Sequence, residues 1–405
     1  MITRSRTSTS PSIARRWKVA VPAFAVLLTA ALAGCSGSED VTVYNIGMIA
    51  PLSGENAVVG NDILRPPLEM AIDHLNKSGD LHKKMALKIY DSQADPQKAV
   101  TGLNQLIAQD HIVAAQTLFS SNILAEAPVS ERAKLPVINA GASAPNLVGI
   151  SDYLLNLVPL GGQQLEGLMP YVADKLKLTR WAIVYSDETL GQGLTKTIED
   201  KASKAGVEVV GKVSVGYTQT NFQSTIATLK GLNADTVFLA LGNAGEVPTF
   251  IQQARAAGIT GRWLTYNGVV TQDTAKEKTA DGIMYVTQDI NVTDPADAAT
   301  KEFVDAYKAK TGNAPLPVQA TMYSSILMIG EALKSLEGSG DKVTGESLLA
   351  TLHDISTFAE LPGGTLKLLS DGTVSSPLAI TTVTGGNQTV VHRIPVDTSG
   401  GLRSK

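Results

Sequence analysis

The chain has 405 residues, 43% apolar and 18% charged, with a formal net charge of −4 and a single cysteine. That length exceeds what one hydrophobic core usually serves, so two lobes are expected. The acidic balance argues against nucleic acid as a partner, because backbone binding needs clustered Lys and Arg. One cysteine also leaves no disulfide within the chain.

Residues 1–18 carry Arg4, Arg6, Arg15, Arg16 and Lys18 and no acid, and the 15 residues Val19–Ala33 follow without a charge. A basic segment before a short apolar one reads as an export signal, since a membrane-spanning helix needs roughly 20 residues. Leu32-Ala33-Gly34-Cys35 resembles the bacterial lipobox, which implies cleavage after residue 34 and acylation of Cys35. The expected product is exported and lipid-anchored on the outer face of the cell membrane. Its 29 Lys and Arg stand against 38 Asp and Glu, more acidic than the whole chain. Residues 35–41 form the acylated cysteine and a tether, and 397–405 form a polar tail.

Between these ends strand-like and helix-like runs alternate, the pattern of an α/β protein with doubly wound parallel sheets. Strands are expected at Tyr44–Ala50, Met85–Asp91, Ile112–Thr117, Pro136–Ala140, Trp181–Tyr185, Glu208–Val215, Thr236–Ala240 and Gly282–Thr287. Asp95–Asp110 reads as a helix with Asp95 as cap, Pro96 in the first turn and Ala99, Leu103, Leu106 and Ile107 as its apolar stripe. Further helices are expected at Gln192–Ala205, Asn221–Asn233 and Pro317–Leu336, the last apolar all round. Gly363–Leu369, Pro377–Val383 and Thr389–Ile394 read as closing strands.

Catalytic motifs are wanting. His74, His82, His111, His353 and His392 are scattered without metal-ligand spacing. Gly206-Val-Glu-Val-Val-Gly211-Lys212 approaches a phosphate loop, but Val213 replaces the magnesium-holding hydroxyl and the segment reads as a strand. Gly191-Gln192-Gly193 lacks the third glycine of a dinucleotide fingerprint, and no Gly-x-Ser-x-Gly elbow occurs. A binder without catalytic residues, metal or cofactor is the expectation.

In open parallel sheets ligands bind beyond the carboxyl ends of the strands. After Ile112–Thr117 come Ser120 and Ser121 at the start of a helix, where hydroxyls and free amides suit a carboxylate. Ser120 as a plain helix cap is the competing reading. Gly141-Ala142-Ser143 follows the next strand, with small residues that let backbone approach a ligand.

Gly47 to Gly54 with Gly60, Tyr90-Asp91 with Asp95-Pro96, Ser120-Ser121, Ala140 to Pro145 and Gln253 to Gly258 together resemble the leucine/isoleucine/valine-binding family of type I periplasmic binding proteins. The resemblance implies two Rossmann-like lobes, 42–159 with 289–377 and 160–288 with 378–396, joined by three crossing strands and closing on a ligand. It further implies a monomer that delivers an amino acid or related small carboxylate to an ABC permease. Ser120 and Ser143 then hold the carboxylate, and Gly141, Ser143 and an acid from lobe two hold the ammonium.

At that acid this sequence departs, for Asn267 stands where the family's amino-acid binders have Glu, and Val59, Leu190 and Gly161 replace polar family residues. Glu246, or Asp187 and Glu188, would supply the charge from elsewhere, and Tyr266 would stack on or hydrogen-bond a ligand. Two alternatives stay open: an amino-group-free acid or amide as ligand, and a sensory protein reporting to a membrane receptor.

Overall fold

The computed structural model describes residues 43–395 apart from Ala140, Thr218, Ala244 and Thr271. Cys35, the export signal, the tether and the tail expected at 397–405 lie outside the described residues.

The first sheet holds β1 (Val43–Ala50), β2 (Lys84–Asp91), β3 (Ala114–Thr117), β4 (Val137–Asn139) and β5 (Leu154–Asn156) in the order β2-β1-β3-β4-β5, all parallel. The second is built on β6 (Arg180–Ser186), β7 (Glu208–Val215), β8 (Thr236–Ala240), β9 (Arg262–Thr265) and β10 (Ile283–Gln288). Their order β10-β9-β8-β6-β7 is again parallel. A small antiparallel sheet comprises β11 (Thr357–Leu361), β12 (Gly364–Leu368) and β13 (Val374–Ser375). The last strands, β14 (Leu378–Thr384) and β15 (Asn387–Ile394), return to the second sheet and pair antiparallel on the β10 edge. Each main sheet thus carries one lobe, and in each the strand order reverses once, between β1 and β3 and between β6 and β8.

Helices cover the sheets as their apolar stripes require. Pro96–Asp110 starts on the expected cap, with the Asp95 carboxylate accepting from the amides of Gln97 at 2.8 Å and Lys98 at 2.9 Å. Ala99, Leu103 and Leu106 are buried and Ile107 half-buried. The helix expected from Gln192 begins at Thr189 because the Glu188 carboxylate caps it, an uncommon side chain at that position. Pro317–Ser339 is buried on most sides and ends at Gly340, whose φ of 76° is left-handed. The near-phosphate-loop segment lies in β7, as a strand. The strand expected at Gly363–Leu369 is β12, whereas β5, β11 and β13 are too short or irregular for a clear period in the sequence.

Two apolar cores result. One packs Ile46, Met48 and Ala50 of β1 against Leu68, Ile326 and Ile329. The other runs from Leu103 and Leu106 through Ala142, Leu147 and Leu160 into the β6–β8 core of the second lobe. Where the chain passes between lobes, Gln288 is buried and donates to the Leu157 carbonyl at 3.2 Å and the Ser376 hydroxyl at 3.5 Å, while accepting from Thr321. One side chain therefore ties three separate stretches of chain.

Candidate functional site

The carboxyl ends of the two parallel sheets face one cleft of about 710 Å³, within the range of roughly 300–1,000 Å³ for small-molecule sites. Loops after β1, β3 and β4 line one wall, and loops after β6, β8 and β9 line the other. Both walls sit at the strand-order reversals, where ligands bind in open α/β sheets. The lining contains no Lys, Arg or His among the described residues.

On the first wall Phe119 takes φ 71°, ψ 123°, a strained backbone for a residue with a side chain, and precedes the helix Ser120–Ala133. No side chain caps this helix, so the reading of Ser120 as a cap is corrected: Ser120 is the first helical residue. The first-turn amides therefore have no side-chain partner, which suits an anion at the positive end of the helix dipole. Ser120 is buried and Ser121 half-buried, and both line the cleft.

In the neighbouring loop Gly141, Ala142 and Ser143 all line the cleft. Asn139, fully buried, accepts from the amides of Gly141 at 3.1 Å and Ala142 at 2.7 Å and donates to the Ala142 carbonyl at 2.8 Å. Those two amides are engaged in shaping the loop. Ser143 faces the other wall: its hydroxyl donates to Asn267 Oδ1 at 3.0 Å and its carbonyl accepts from the Gly161 amide at 2.7 Å.

On the second wall, Asn267 is held by Gln164, a buried residue that sequence reasoning missed. Its Nε2 donates to Asn267 Oδ1 at 3.0 Å and to the Pro159 carbonyl at 2.7 Å, and its Oε1 accepts from the Asn267 amide at 3.1 Å. A Cβ on Gly161 would lie 2.4 Å from the Leu194 side chain and 3.0 Å from the Ser143 carbonyl, so a side chain there would require Leu194 to shift. The Gly-Gly-Gln-Gln run at 161–164 was the one available signal for Gln164.

Among the acids proposed for this wall, Glu188 lines the cleft, whereas Glu246 and Asp187 do not. Glu188 accepts from the Leu190 and Gly191 amides, both at 2.8 Å, and burial pushes its carboxyl above the ordinary range against those hydrogen bonds. Glu246 is buried in the first turn of the helix Glu246–Ala256. Tyr266 presents its ring only, because its hydroxyl donates to the Leu241 carbonyl at 3.0 Å. Burial, and then the charge of Glu188, push the Tyr266 hydroxyl well above its usual range. Val59 and Leu190 line the cleft as apolar residues, with Ile63, Val270, Val318 and Met322.

A two-lobed α/β shell with its cleft at both strand-order reversals has the architecture of a small-molecule binding protein. Residues 43–388 match the periplasmic binding protein family, and the chain belongs to it. A Leu/Ile/Val-binding protein of Citrobacter freundii is 28% identical over 290 residues, 69% of this chain and 78% of that protein. A leucine-binding protein of Thermotoga maritima has a similar structure, with TM-score 0.78 at 18% identity over 87% of this chain and 99% of that one. A solute-binding protein of an ABC transporter from R. palustris, solved with benzoate, gives TM-score 0.76 at 19% identity over 87% and 96%.

Proposed function

We propose that this protein is the extracytoplasmic substrate-binding lipoprotein of an ABC importer, anchored through Cys35, acting as a monomer that captures a small carboxylate with an apolar body and passes it to a permease. The observation that carries the ligand class is the helix at Ser120, which has no side-chain cap and whose first two residues line a cleft that also presents the apolar Val59, Ile63, Leu190, Val270, Val318 and Met322. An anion held by neutral donors needs no lysine or arginine, and none lines the cleft among the described residues. Relatives with amino-acid and benzoate ligands support the same class.

Capture follows from the division of the walls. We place the crossings near 159/160, 288/289 and 377/378, beside the Gln288 hydrogen bonds. Ser143 bonds from the first wall to Asn267 and Gly161 on the second, so these contacts form as the cleft shuts. Ser120, Ser121, Gly141 and Ser143 line the anion end, and Tyr266 and Asn267 the opposite wall.

The amino-acid version keeps one observation in its favour: Glu188 is an acid in the lining. Calorimetric titration of leucine against the protein and its Glu188→Gln variant tests that version, which requires leucine binding that the substitution abolishes. For the anchor, palmitate labelling of cells expressing the chain is expected to mark it, and Cys35→Ser to remove the label. An unlabelled wild type would contradict the anchor.

A further inference from the structure

The amide of Asn267 has only one orientation compatible with its surroundings, and that orientation bears on which carboxylates enter. The Pro159 carbonyl can only accept and the Asn267 backbone amide can only donate. Gln164, bonded to both, must therefore turn Nε2 toward Pro159 and Oε1 toward the Asn267 backbone. Its Nε2 also reaches the Asn267 side chain, which must answer with its oxygen. Ser143 donates to the same oxygen. The end of Asn267 left toward the cleft is thus the amide nitrogen, a hydrogen-bond donor.

From this geometry we infer that the Gln164–Asn267 pair selects acids whose group next to the carboxylate is an uncharged acceptor, a 2-hydroxyl or 2-oxo group, over the corresponding 2-amino acids. The inference rests on the reading of the cleft as a carboxylate site and narrows it. An ammonium is donor-only and would meet donor against donor at Asn267. The acids of the lining are not aimed at it: Glu188 is engaged by two helix amides and Glu55 is exposed, while a side chain on Gly161 would require Leu194 to move. An ammonium taken from water without an anion is disfavoured. Asn267 discriminates by touching the ligand, and Gln164 is a positioning residue acting through it.

The test is calorimetric titration of the protein with leucine, 2-hydroxy-4-methylpentanoate and 4-methyl-2-oxopentanoate, together with phenylalanine, phenyllactate, phenylpyruvate and benzoate. We expect a hydroxy or oxo acid to bind about tenfold or more tighter than its amino counterpart, the size of one unmet hydrogen bond in a buried site. Asn267→Asp replaces the donor with an acceptor and is expected to move that ratio at least about tenfold toward the amino acid. Gln164→Glu removes the Nε2 donor, turns the Asn267 amide over and is expected to move the ratio the same way. A general loss of packing would weaken all ligands together and leave the ratio fixed. Tighter binding of the amino acid by the wild type, or a ratio unmoved in Asn267→Asp, overturns the inference while the carboxylate reading stands. Silence toward every acid, benzoate included, overturns both.

Discussion

The two walls of the cleft are built differently. The first takes its chemistry from local backbone: β3 ends, Phe119 turns through a strained φ and the helix from Ser120 begins without a cap. The second takes its chemistry from residues far apart in the chain, with Gln164 bonded to Asn267 across 103 positions and Ser143 to Asn267 across 124. A carboxylate is a common feature that local geometry can hold, whereas discrimination among carboxylates needs side chains fixed by distant partners. On the proposed function, the wall of short-range contacts sets the ligand class and the wall of long-range contacts sets the member.

Breaking the second wall wholesale has a large expected effect. A Cβ on Gly191 would sit 2.2 Å from the Ser186 carbonyl and 2.9 Å from that of Ala240. Gly191→Ala is therefore expected to destabilise the protein by about 3 kcal/mol, measured by urea unfolding, and to displace Glu188 and Leu190 from the lining. Unchanged stability would show that this turn has slack.

Beneath the first wall lies a buried acid, and it gives a pH test. Burial pushes the Glu126 carboxyl from 4.5 up to about 8, with the Thr117 hydroxyl acting against that. The folded chain keeps a proton there that the unfolded chain releases, so the stabilisation is complete below pH 4.5 and is lost as pH rises through about 8. The expected decline across that window is on the order of 1 kcal/mol per pH unit. Glu126→Gln, neutral at every pH, should flatten it in thermal melts taken from pH 5 to 9.

Ser120→Ala separates the walls: every acid is expected to bind more weakly by about 1.5–3 kcal/mol, the size of a hydrogen bond to a charged group, without change in preference among acids. Ser143→Ala should weaken binding less, because its hydroxyl is turned to Asn267, and should blur the preference. Titration of both variants with one hydroxy acid and one amino acid reads the difference. The smallest effect is expected at the crossing, where Gln288→Ala removes bonds to Leu157 and Ser376 and lowers stability by about 1 kcal/mol.

Much of the fold was legible because its signals are local. The strand–helix alternation, the Asp95 cap and the apolar stripe of Pro96–Asp110 each depend on residues a few positions apart. The family match agrees with the resemblance drawn from Gly47–Gly54, Ser120-Ser121 and Ala140–Pro145. That Ser120, Ser121 and Gly141 to Ser143 line the cleft was legible for the same reason. What was not legible depended on chain folding: Asn139 engages the amides of Gly141 and Ala142, Gln164 orients Asn267, and Glu188 reaches the lining by capping its helix where Glu246 does not. None of these has a periodic or motif signature, because each is a hydrogen bond to a backbone or side chain whose position the fold alone determines.

The central claim, that the cleft recognises a carboxylate through its first wall, is tested most directly by the melting temperature of residues 36–405 with 2-hydroxy-4-methylpentanoate and with its neutral amide. A ligand at about 100 times its dissociation constant adds roughly 2.7 kcal/mol, enough for a rise of a few degrees. That rise is expected with the acid, none with the amide, and a reduced rise in Ser120→Ala. An equal rise with acid and amide, or one untouched by Ser120→Ala, would contradict it.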